Sequence, residues 1–320
     1  MRLRNLLLLL GIILAIAGCK DEQIIDNGNQ TIFDHHKKNA QTFVLASAEL
    51  DTIFGEEGTK IIIDINSLEL ADGGEISGNV EIHLTEYYKS TDILLANLST
   101  SSDNQLIETG GMINLVASSN GKEVVIKKGR DIEIEFSSKE KTGMEVFHGA
   151  FENGQINWKP ETKPTEINKA GFFAQDGGYP VSEEAAAEMR AASKIDSIAR
   201  NNILKSTKFG WINCDRFLQF DNLTSLKVEY DTVFKPSAFL VFNEINSIMP
   251  SFYGKFNRQF INLPVGYEAT LIIFCVDGEK TYFSSRKFVI QDKKEIMVEF
   301  KETSLDKIKV EIEKMIEKND

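Results

Sequence analysis

Apolar and polar residues alternate with a period of two through most of the chain after position 41. Residues 80–84, Val-Glu-Ile-His-Leu, put three aliphatic side chains on one face and two polar ones on the other, and residues 130–136 repeat the pattern. A period of two is typical of a half-buried β-strand. Asn120-Gly121 and Asp277-Gly278 each separate two such runs, and these dipeptides favour tight hairpins. The pattern predicts a mainly β chain with antiparallel β-sandwiches.

Interruptions of this pattern predict the domain organisation. Three of the six prolines lie within residues 160–180, which is typical of a linker. Apolar residues at helical spacing follow Ser182 and again follow Ser304, and we expect the second helix to cover the edge or the apolar end of the second domain. The predicted segments are a signal peptide (1–18), an acylated cysteine with a flexible stalk (19–40), a first sandwich (41–158), a linker and amphipathic helix (159–205), a second sandwich (206–302) and a C-terminal helix (303–320).

The first nineteen residues resemble a bacterial lipoprotein signal peptide. Arg2 and Arg4 precede an apolar run over residues 6–17 that is shorter than the ~20 residues needed to cross a bilayer. Residues 16–19, Ile-Ala-Gly-Cys, resemble the lipobox, in which small residues precede the cysteine that receives the lipid. We therefore expect Cys19 to be acylated, with palmitate among its chains. The alternative is an ordinary secretory signal with a cysteine there by chance.

The residues behind the anchor predict where the protein is displayed. Lys20, Asp21 and Glu22 resemble the export signal that sends Bacteroidota lipoproteins to the outer face of the outer membrane. Since each buried CH₂ contributes ~0.8 kcal/mol, the two or three chains of a lipoprotein hold it durably. We expect a lipid-anchored outer-membrane protein that faces the cell exterior. The alternative is that these three charges are only part of a solvated tether.

The net charge excludes two classes of partner. The formal charge is −12 and no block of Lys or Arg occurs. Nucleic-acid binding depends on cations that neutralise phosphates, so we expect no nucleic-acid partner. Attachment to anionic lipid by charge alone is disfavoured for the same reason. The predicted membrane contact is the N-terminal lipid.

Four segments carry a resemblance to a family of uncharacterised Bacteroidota outer-membrane lipoproteins with β-sandwich domains: residues 86–89, 94–98, 108–113 and 210–216. The first domain also resembles, more distantly, the sandwich shared by zonula-occludens proteins and netrin receptors. This resemblance implies protein–protein interaction or interdomain packing and supplies no catalytic residues. Some relatives of that sandwich cleave themselves at a His-Phe-Ser turn. Residues 147–149, Phe-His-Gly, lack the nucleophile, so self-cleavage is disfavoured.

No sequence motif for a nucleophile, a phosphate loop or a metal centre is present. His35-His36 could bind a metal, but no further ligands lie at a useful spacing, so a solvated pair is expected. Asp131, Glu133 and Glu135 could imitate a glycosidase pair, yet acids that alternate with apolar residues are typical of the wet face of a strand. We therefore expect no catalytic residue, no metal and no cofactor.

Five residues are candidates for covalent modification. Cys214 and Cys275 lie in predicted strands, and a disulfide between them would contribute on the order of 4 kcal/mol; the alternative is two buried thiols. Thr52, Ser197 and Thr232 each follow an aspartate in a pattern that resembles the Bacteroidota O-glycosylation sequon. Burial of any of these hydroxyls would exclude that position.

One aromatic segment is a candidate binding surface. Phe252, Tyr253, Phe256 and Arg258 surround a glycine, and this composition is typical of an interface hot spot or of a domain core. With the charge and the anchor, it predicts a non-enzymatic binding or structural module with a protein or glycan partner. Two alternatives stay open. A deep pocket with clustered carboxylates would favour an envelope hydrolase, and a large exposed apolar patch would favour a subunit of a secretion, uptake or motility assembly.

Overall fold

The computed structural model describes residues 27–45, 50–138, 143–152, 154–161, 203–230, 235–253, 257–292 and 294–316. This part of the chain is mainly β, with several antiparallel sheets and a C-terminal helix, as the alternation predicts. The strands are β1 Gln41–Leu45, β2 Leu50–Phe54, β3 Lys60–Asp64, β4 Leu68–Leu70, β5 Val80–Tyr87, β6 Ser101–Ser102, β7 Gln105–Ser119, β8 Lys122–Ile126, β9 Ile132–Glu135, β10 Glu145–Glu152, β11 Gln155–Pro160, β12 Ile203–Ser206, β13 Gly210–Phe217, β14 Leu223–Tyr230, β15 Ser237–Phe242, β16 Ser247–Pro250, β17 Phe252–Tyr253, β18 Asn257–Pro264, β19 Glu268–Asp277, β20 Lys280–Val289, β21 Lys294–Val298 and β22 Lys301–Thr303. The helices are α1 Asn27–His35, α2 Ser90–Leu95 and α3 Leu305–Ile316, with a short 3₁₀ turn at Ile65–Ser67.

The first sandwich packs a nine-stranded sheet on a four-stranded one. The central path of the larger sheet is β1-β5-β7-β13-β10-β11, and the smaller sheet has the order β12-β9-β3-β2. Ile82 and Leu84 of β5 are fully buried against Ile61 and Ile63 of β3 in one apolar cluster. The predicted face of the 80–84 strand is therefore the core face.

The second sandwich packs the sheet β17-β18-β14-β21 on the sheet β16-β15-β19-β20-β22. Alternate residues of its strands, among them Phe242, Phe260 and Leu271, fill the space between the sheets. Only β14 and β21 run parallel among the strand pairs of the described chain. The hairpin at Asp277–Lys280 joins β19 to β20, and the left-handed φ of Gly278, 58°, explains the glycine in its turn.

Two strands lie elsewhere than the sequence predicts. The sequence assigns residues 206–302 to the second sandwich, but β13 pairs with β7 and β10 in the large sheet of the first. β12 lies almost entirely within the linker and helix predicted over residues 159–205, yet it is a strand that pairs with β9 in the smaller sheet of the first sandwich. The reason is the side-chain pattern of β13, because Ile212 and Cys214 bury themselves in the first core. A strand joins the sheet that covers its apolar face, and that choice is independent of position along the chain.

The predicted flexible stalk contains a docked helix. Helix α1 buries Ile32 and Phe33, and the ring of Phe33 contacts those of Phe239 and Phe274 in the second sandwich, at 6.4 and 5.7 Å between centroids. The Asn29 amide donates to the carbonyl of Lys235 at 2.8 Å and accepts from the N–H of Val276 at 3.0 Å. The prediction of a stalk over residues 19–40 is therefore wrong from residue 27 onward.

All three helices lie between the two sandwiches. One cluster joins the outer face of the nine-stranded sheet, through Trp158 and Phe147, to the outer face of the β15–β19 sheet. Ile308 and Ile312 of α3 are fully buried in it. The C-terminal helix predicted after Ser304 is confirmed, but it fills this shared core with α1 and α2. The two sandwiches therefore form one continuous packed body.

Candidate functional site: the cleft between the sandwiches

Three of the segments that carry the family resemblance meet on adjacent strands, because β5, β7 and β13 are neighbours. Glu86 at the end of β5 is 1% exposed. Its carboxylate accepts from the N–H groups of Glu57 and Thr59, each at 3.0 Å, and from the Gln41 amide at 2.8 Å. This carboxylate supplies the hydrogen-bond acceptors that the buried N–H groups of the β2–β3 loop require, so its role here is structural.

A buried polar cluster lies deeper in the same strands. Thr109 Oγ1 donates to Asn213 Oδ1 at 2.8 Å, and Asn213 Nδ2 donates to Asp215 Oδ2 at 2.6 Å. All three side chains are buried, at a β-bulge between Asn213 and Asp215. Burial raises the pKa of the Asp215 carboxyl well above its ordinary value, and the hydrogen bond with Thr109 only partly offsets this. The folded protein therefore holds this proton to a higher pH than the unfolded chain does.

The same strands hold the second sandwich in place. The Asn246 amide donates to the Thr109 carbonyl at 2.6 Å, and Ser247 Oγ donates to the Ile107 carbonyl at 2.7 Å. Thr100 and Ile248 are joined by two bonds, from Thr100 N–H to the Ile248 carbonyl at 2.8 Å and from Ile248 N–H to Thr100 Oγ1 at 2.7 Å. Backbone and side-chain bonds together fix the angle between the sandwiches.

Ion pairs fix the opposite side of the same interface. Asp92 of α2 lies 3.0 Å from Lys309 of α3 and 3.5 Å from Lys38, which follows α1. Lys38 also pairs with Glu57 and donates to the Glu86 carbonyl at 2.7 Å. The segments around all three helices therefore meet at one carboxylate, and the interface is held by charge as well as by apolar packing.

A cleft of about 680 Å³ opens where the sandwiches and α1 meet. Its volume is in the range of small-molecule sites. One wall comes from the first sandwich, the other from β15–β17 of the second, and α1 contributes Asn29, Gln30 and Phe33. The lining combines side-chain amides, hydroxyls and carboxylates with a few apolar rings.

The polar groups on the first wall are already ordered by one another. Asn157 Nδ2 donates to Asp103 Oδ1 at 3.1 Å and to Glu152 Oε2 at 3.0 Å, while its carbonyl oxygen accepts from Asp103 N–H at 3.0 Å. Lys159 pairs with Asp103 from outside the cleft, and this hydrogen bond lowers the pKa of the Asp103 carboxyl. Both acids are therefore oriented by neighbours before any ligand binds.

The aromatic segment predicted as a binding surface borders this cleft in part. Phe252 is half-buried and lines the second wall, and the buried Arg258 lines the same cleft. Tyr253 belongs to β17, and Phe256 lies outside the described residues. The sequence could identify Phe252, but the opposing Asp103, Glu152 and Asn157 come from strands and turns about a hundred residues earlier.

The other candidate residues lie apart from the cleft. Cys214 is buried in β13 of the first sandwich and Cys275 in β19 of the second, and no disulfide joins them, so the alternative of two buried thiols is the one found. Glu133 pairs with Lys205 at 3.3 Å and Glu135 pairs with Lys60 at 3.6 Å. These acids therefore lie on the solvent-facing side of their strand. Asp131 is also bound to Lys205, at 3.1 Å.

The paired histidines are solvated only in part, since His35 is exposed and His36 is half-buried. His35 Nε2 lies 3.0 Å from a carboxylate oxygen of Asp306, and His36 Nε2 lies 3.0 Å from the carbonyl of Leu305. Burial lowers the pKa of the His36 ring, against the hydrogen bond to Leu305 that raises it. Both rings contact the first turn of α3, so they join two helices. The sequence missed this contact because it predicts α1 to be a stalk.

A second unpredicted pair lies in the Phe-His-Gly segment. His148 Nε2 is 3.5 Å from Glu161 Oε2, and Thr207 N–H donates to Glu161 at 3.0 Å. Burial of Glu161 raises its pKa, but the bonds from His148 and Thr207 outweigh burial, so the pKa lies below its ordinary value. These side chains tie the end of β11 to the turn before β13.

Several predicted sites lie beyond the described residues. Cys19, the export signal 20–22, Ser197 and Thr232 belong to this group, as do residues 162–202 of the linker and helix predicted over 159–205. Thr52 is described and is half-buried on β2, an edge strand, so burial does not exclude it as a glycosylation site.

Searches of the described residues for two further features gave no candidate. No group of three or more His, Cys, Asp or Glu side chains is placed to hold a metal ion there. None of the helices in the ranges given above is long and apolar enough to cross a bilayer. Comparison of the sequence with family models found no match, and comparison with curated proteins found none either.

Proposed function

We propose that this protein is a lipid-anchored, surface-exposed envelope protein that acts as a non-enzymatic binding module. We propose further that the cleft between the sandwiches is its binding surface. The observation that carries the proposal is the ordered polar wall of Asp103, Glu152 and Asn157 opposite Phe252. Pre-ordered polar groups beside an apolar ring favour recognition, because less side-chain entropy is lost when a ligand binds. The resemblance to Bacteroidota lipoproteins supports the same proposal.

Chain length places the cleft near the membrane if Cys19 carries the lipid. Seven residues lie between Cys19 and Asn27, and the eight residue-to-residue steps span at most about 28 Å, whatever their conformation. Helix α1 is docked on the second sandwich, so its residues do not lengthen the linker between the lipid and the body. The cleft includes Asn29 and Gln30 of α1. Its ligand is therefore bound within a few tens of ångströms of the lipid surface.

Metabolic labelling with a palmitate analogue tests the anchor. The wild-type protein is expected to incorporate the label and Cys19→Ser to lose it, while Cys214→Ser keeps it because that thiol is buried in the first core. Label on the Cys19→Ser protein would contradict lipidation at this residue.

Protease treatment of intact cells tests the display. We expect protease to remove the wild-type body and to spare a variant with Lys20, Asp21 and Glu22 all replaced by Ala. If both proteins are protected until the outer membrane is opened, the protein faces the periplasm and surface display is wrong.

A further inference from the structure

The cleft between the sandwiches presents acceptors and donors in alternation, which is the chemistry that hydroxyl groups require. Asp103 and Glu152 supply acceptors, and the amides of Asn97, Asn104 and Gln155 supply both donors and acceptors. Each hydroxyl of a ligand both donates and accepts, so it is satisfied by such a mixed lining. A ligand of predominantly apolar surface would instead leave these groups desolvated without partners, at about 1–3 kcal/mol each.

Two of these amides also hold the hairpin that carries Glu152, and one of them joins the two walls. The Asn97 amide donates to the carbonyl of Gly154 at the tip of the β10–β11 hairpin, at 3.2 Å. The Gln155 amide reaches across the cleft to the carbonyl of Ser251 at 3.4 Å. The hairpin that carries Glu152 is therefore supported from α2 and from the second sandwich, and the acceptors keep their positions before a ligand arrives.

The charges in the cleft further restrict the class of ligand that it can bind. The acids are not available as a simple cation trap, because Asp103 is paired with Lys159 and Glu152 is bonded to Asn157. An anionic ligand would meet the acidic side chains of Asp103 and Glu152 in a protein of net charge −12, while the cationic Arg258 of the second wall is buried. A carboxylate can accept about four hydrogen bonds, so both acids keep capacity for neutral hydroxyl donors.

The opposite wall supplies an apolar surface. Phe252 is half-buried at the start of β17, and Pro250 lines the same wall. An aromatic face carries negative charge density and attracts C–H groups of positive partial charge. A pyranose ring has such a C–H face, and its hydroxyls lie around the edge of the ring.

We propose that the cleft binds a neutral oligosaccharide, with the sugar ring against Phe252 and its hydroxyls on the carboxylates and amides of the facing wall. This inference rests on the proposed binding function and specifies its ligand. Asn157 acts as a positioning residue, since its amide holds both Asp103 and Glu152 in place.

Isothermal titration calorimetry on the full-length protein in detergent tests the ligand class. The probes are maltoheptaose, cellohexaose and mannohexaose, with oligogalacturonate and hexalysine as anionic and cationic comparisons, all at up to millimolar concentration. We expect at least one neutral oligosaccharide to bind and the two charged probes not to bind. Asn157→Ala and Phe252→Ala are each expected to weaken that binding about tenfold, the equivalent of about 1.4 kcal/mol. Val289→Ala, 46% exposed on β20 and outside the cleft, is the control and should bind as wild type does.

Three outcomes would overturn the inference. Binding of no neutral probe, or binding that both cleft variants leave unchanged, would each do so. Binding of hexalysine alone, lost in Asn157→Ala, would show that the cleft takes a basic peptide; the ligand class would then be wrong while the binding function stands. Failure of lipidation or of surface display, measured separately, would overturn the location but leave the saccharide result intact. Thermal melts of both variants distinguish lost contacts from lost fold.

Discussion

At the scale of single residues, the least expected group is the carboxyl of Asp215, which lies inside a sheet without an ion partner among the bonds described above. The Asn213 amide donates to it, and the hydrogen bond with Thr109 lowers the pKa of the carboxyl by less than burial raises it. Burial therefore raises its pKa well above the ordinary value of 3.8. A proton bound in the folded state but not in the unfolded state makes stability depend on pH.

The direction of this pH dependence follows from the number of protons bound in the folded and unfolded states. Below pH 3.8 both states hold the proton and the stabilisation is complete. As the pH rises from there through the raised folded-state pKa, only the folded state keeps the proton, so the free energy of unfolding falls by about 1.4 kcal/mol per pH unit. We predict that Asp215→Asn, which is neutral at every pH, removes this decline. Urea unfolding between pH 4 and pH 8 measures it.

The matched control is Glu81→Gln, an exposed carboxyl on β5 of the same sheet. This variant should retain the pH dependence of the wild type, because it leaves the buried carboxyl in place. If the free energy of unfolding of wild type and of Asp215→Asn changed equally with pH, Asp215 would not be the group that causes the pH dependence.

At the scale of elements, local patterns in the sequence predicted local structure well. The 80–84 alternation, the Asn-Gly and Asp-Gly hairpins and the C-terminal helix are all present, because neighbours in sequence determine each of them. Helix α1 was missed because only two of its apolar residues, Ile32 and Phe33, are buried, and they gain their partners from strands more than two hundred residues away. The pairing of β13 was missed for the same reason.

We predict that α1 depends on Phe33 for its docking. Phe33 contacts two phenylalanine rings of the second sandwich, and truncation of a buried phenylalanine costs about 3–5 kcal/mol. Phe33→Ala should therefore release the helix locally, since a nine-residue helix is not stable alone. Hydrogen exchange should show lost protection over α1 and retained protection over β5 and β7.

Thr31→Ala, exposed on the same helix, is the matched control and should keep the protection of the wild type. Unchanged protection of α1 in Phe33→Ala would mean that the aromatic contact does not hold the helix.

At the scale of the whole molecule, the candidate site is a composite that no single segment encodes. Its walls include Asp103, Glu152 and Asn157 on one side and Phe252 and Arg258 on the other, and α1 closes one end. The sequence could predict Phe252 and Arg258 as candidates because they are adjacent in the chain. It could not place Asn157 opposite them, because that depends on the angle at which Thr100 and Asn246 join the sandwiches.

The shared core has a consequence for unfolding. Separate sandwiches would each unfold independently, but here both contribute an outer sheet face to one cluster around α3. We predict that both sandwiches unfold in one transition. Cys214 reports on the first sandwich and Cys275 on the second, since each thiol is buried until its own core opens. Alkylation followed by peptide mass mapping should give the same urea midpoint for both.

A core substitution in α3 makes this prediction specific. Ile308→Ala removes a fully buried side chain from the shared cluster and should lower stability by about 2–5 kcal/mol, with equal shifts in both alkylation midpoints. Val310→Ala, 45% exposed on the same helix, should shift neither. If Cys275 became reactive at a lower urea concentration than Cys214, the sandwiches would be separate folding units. The interface would then be a hinge, and the cleft would lose the fixed walls on which ligand recognition depends.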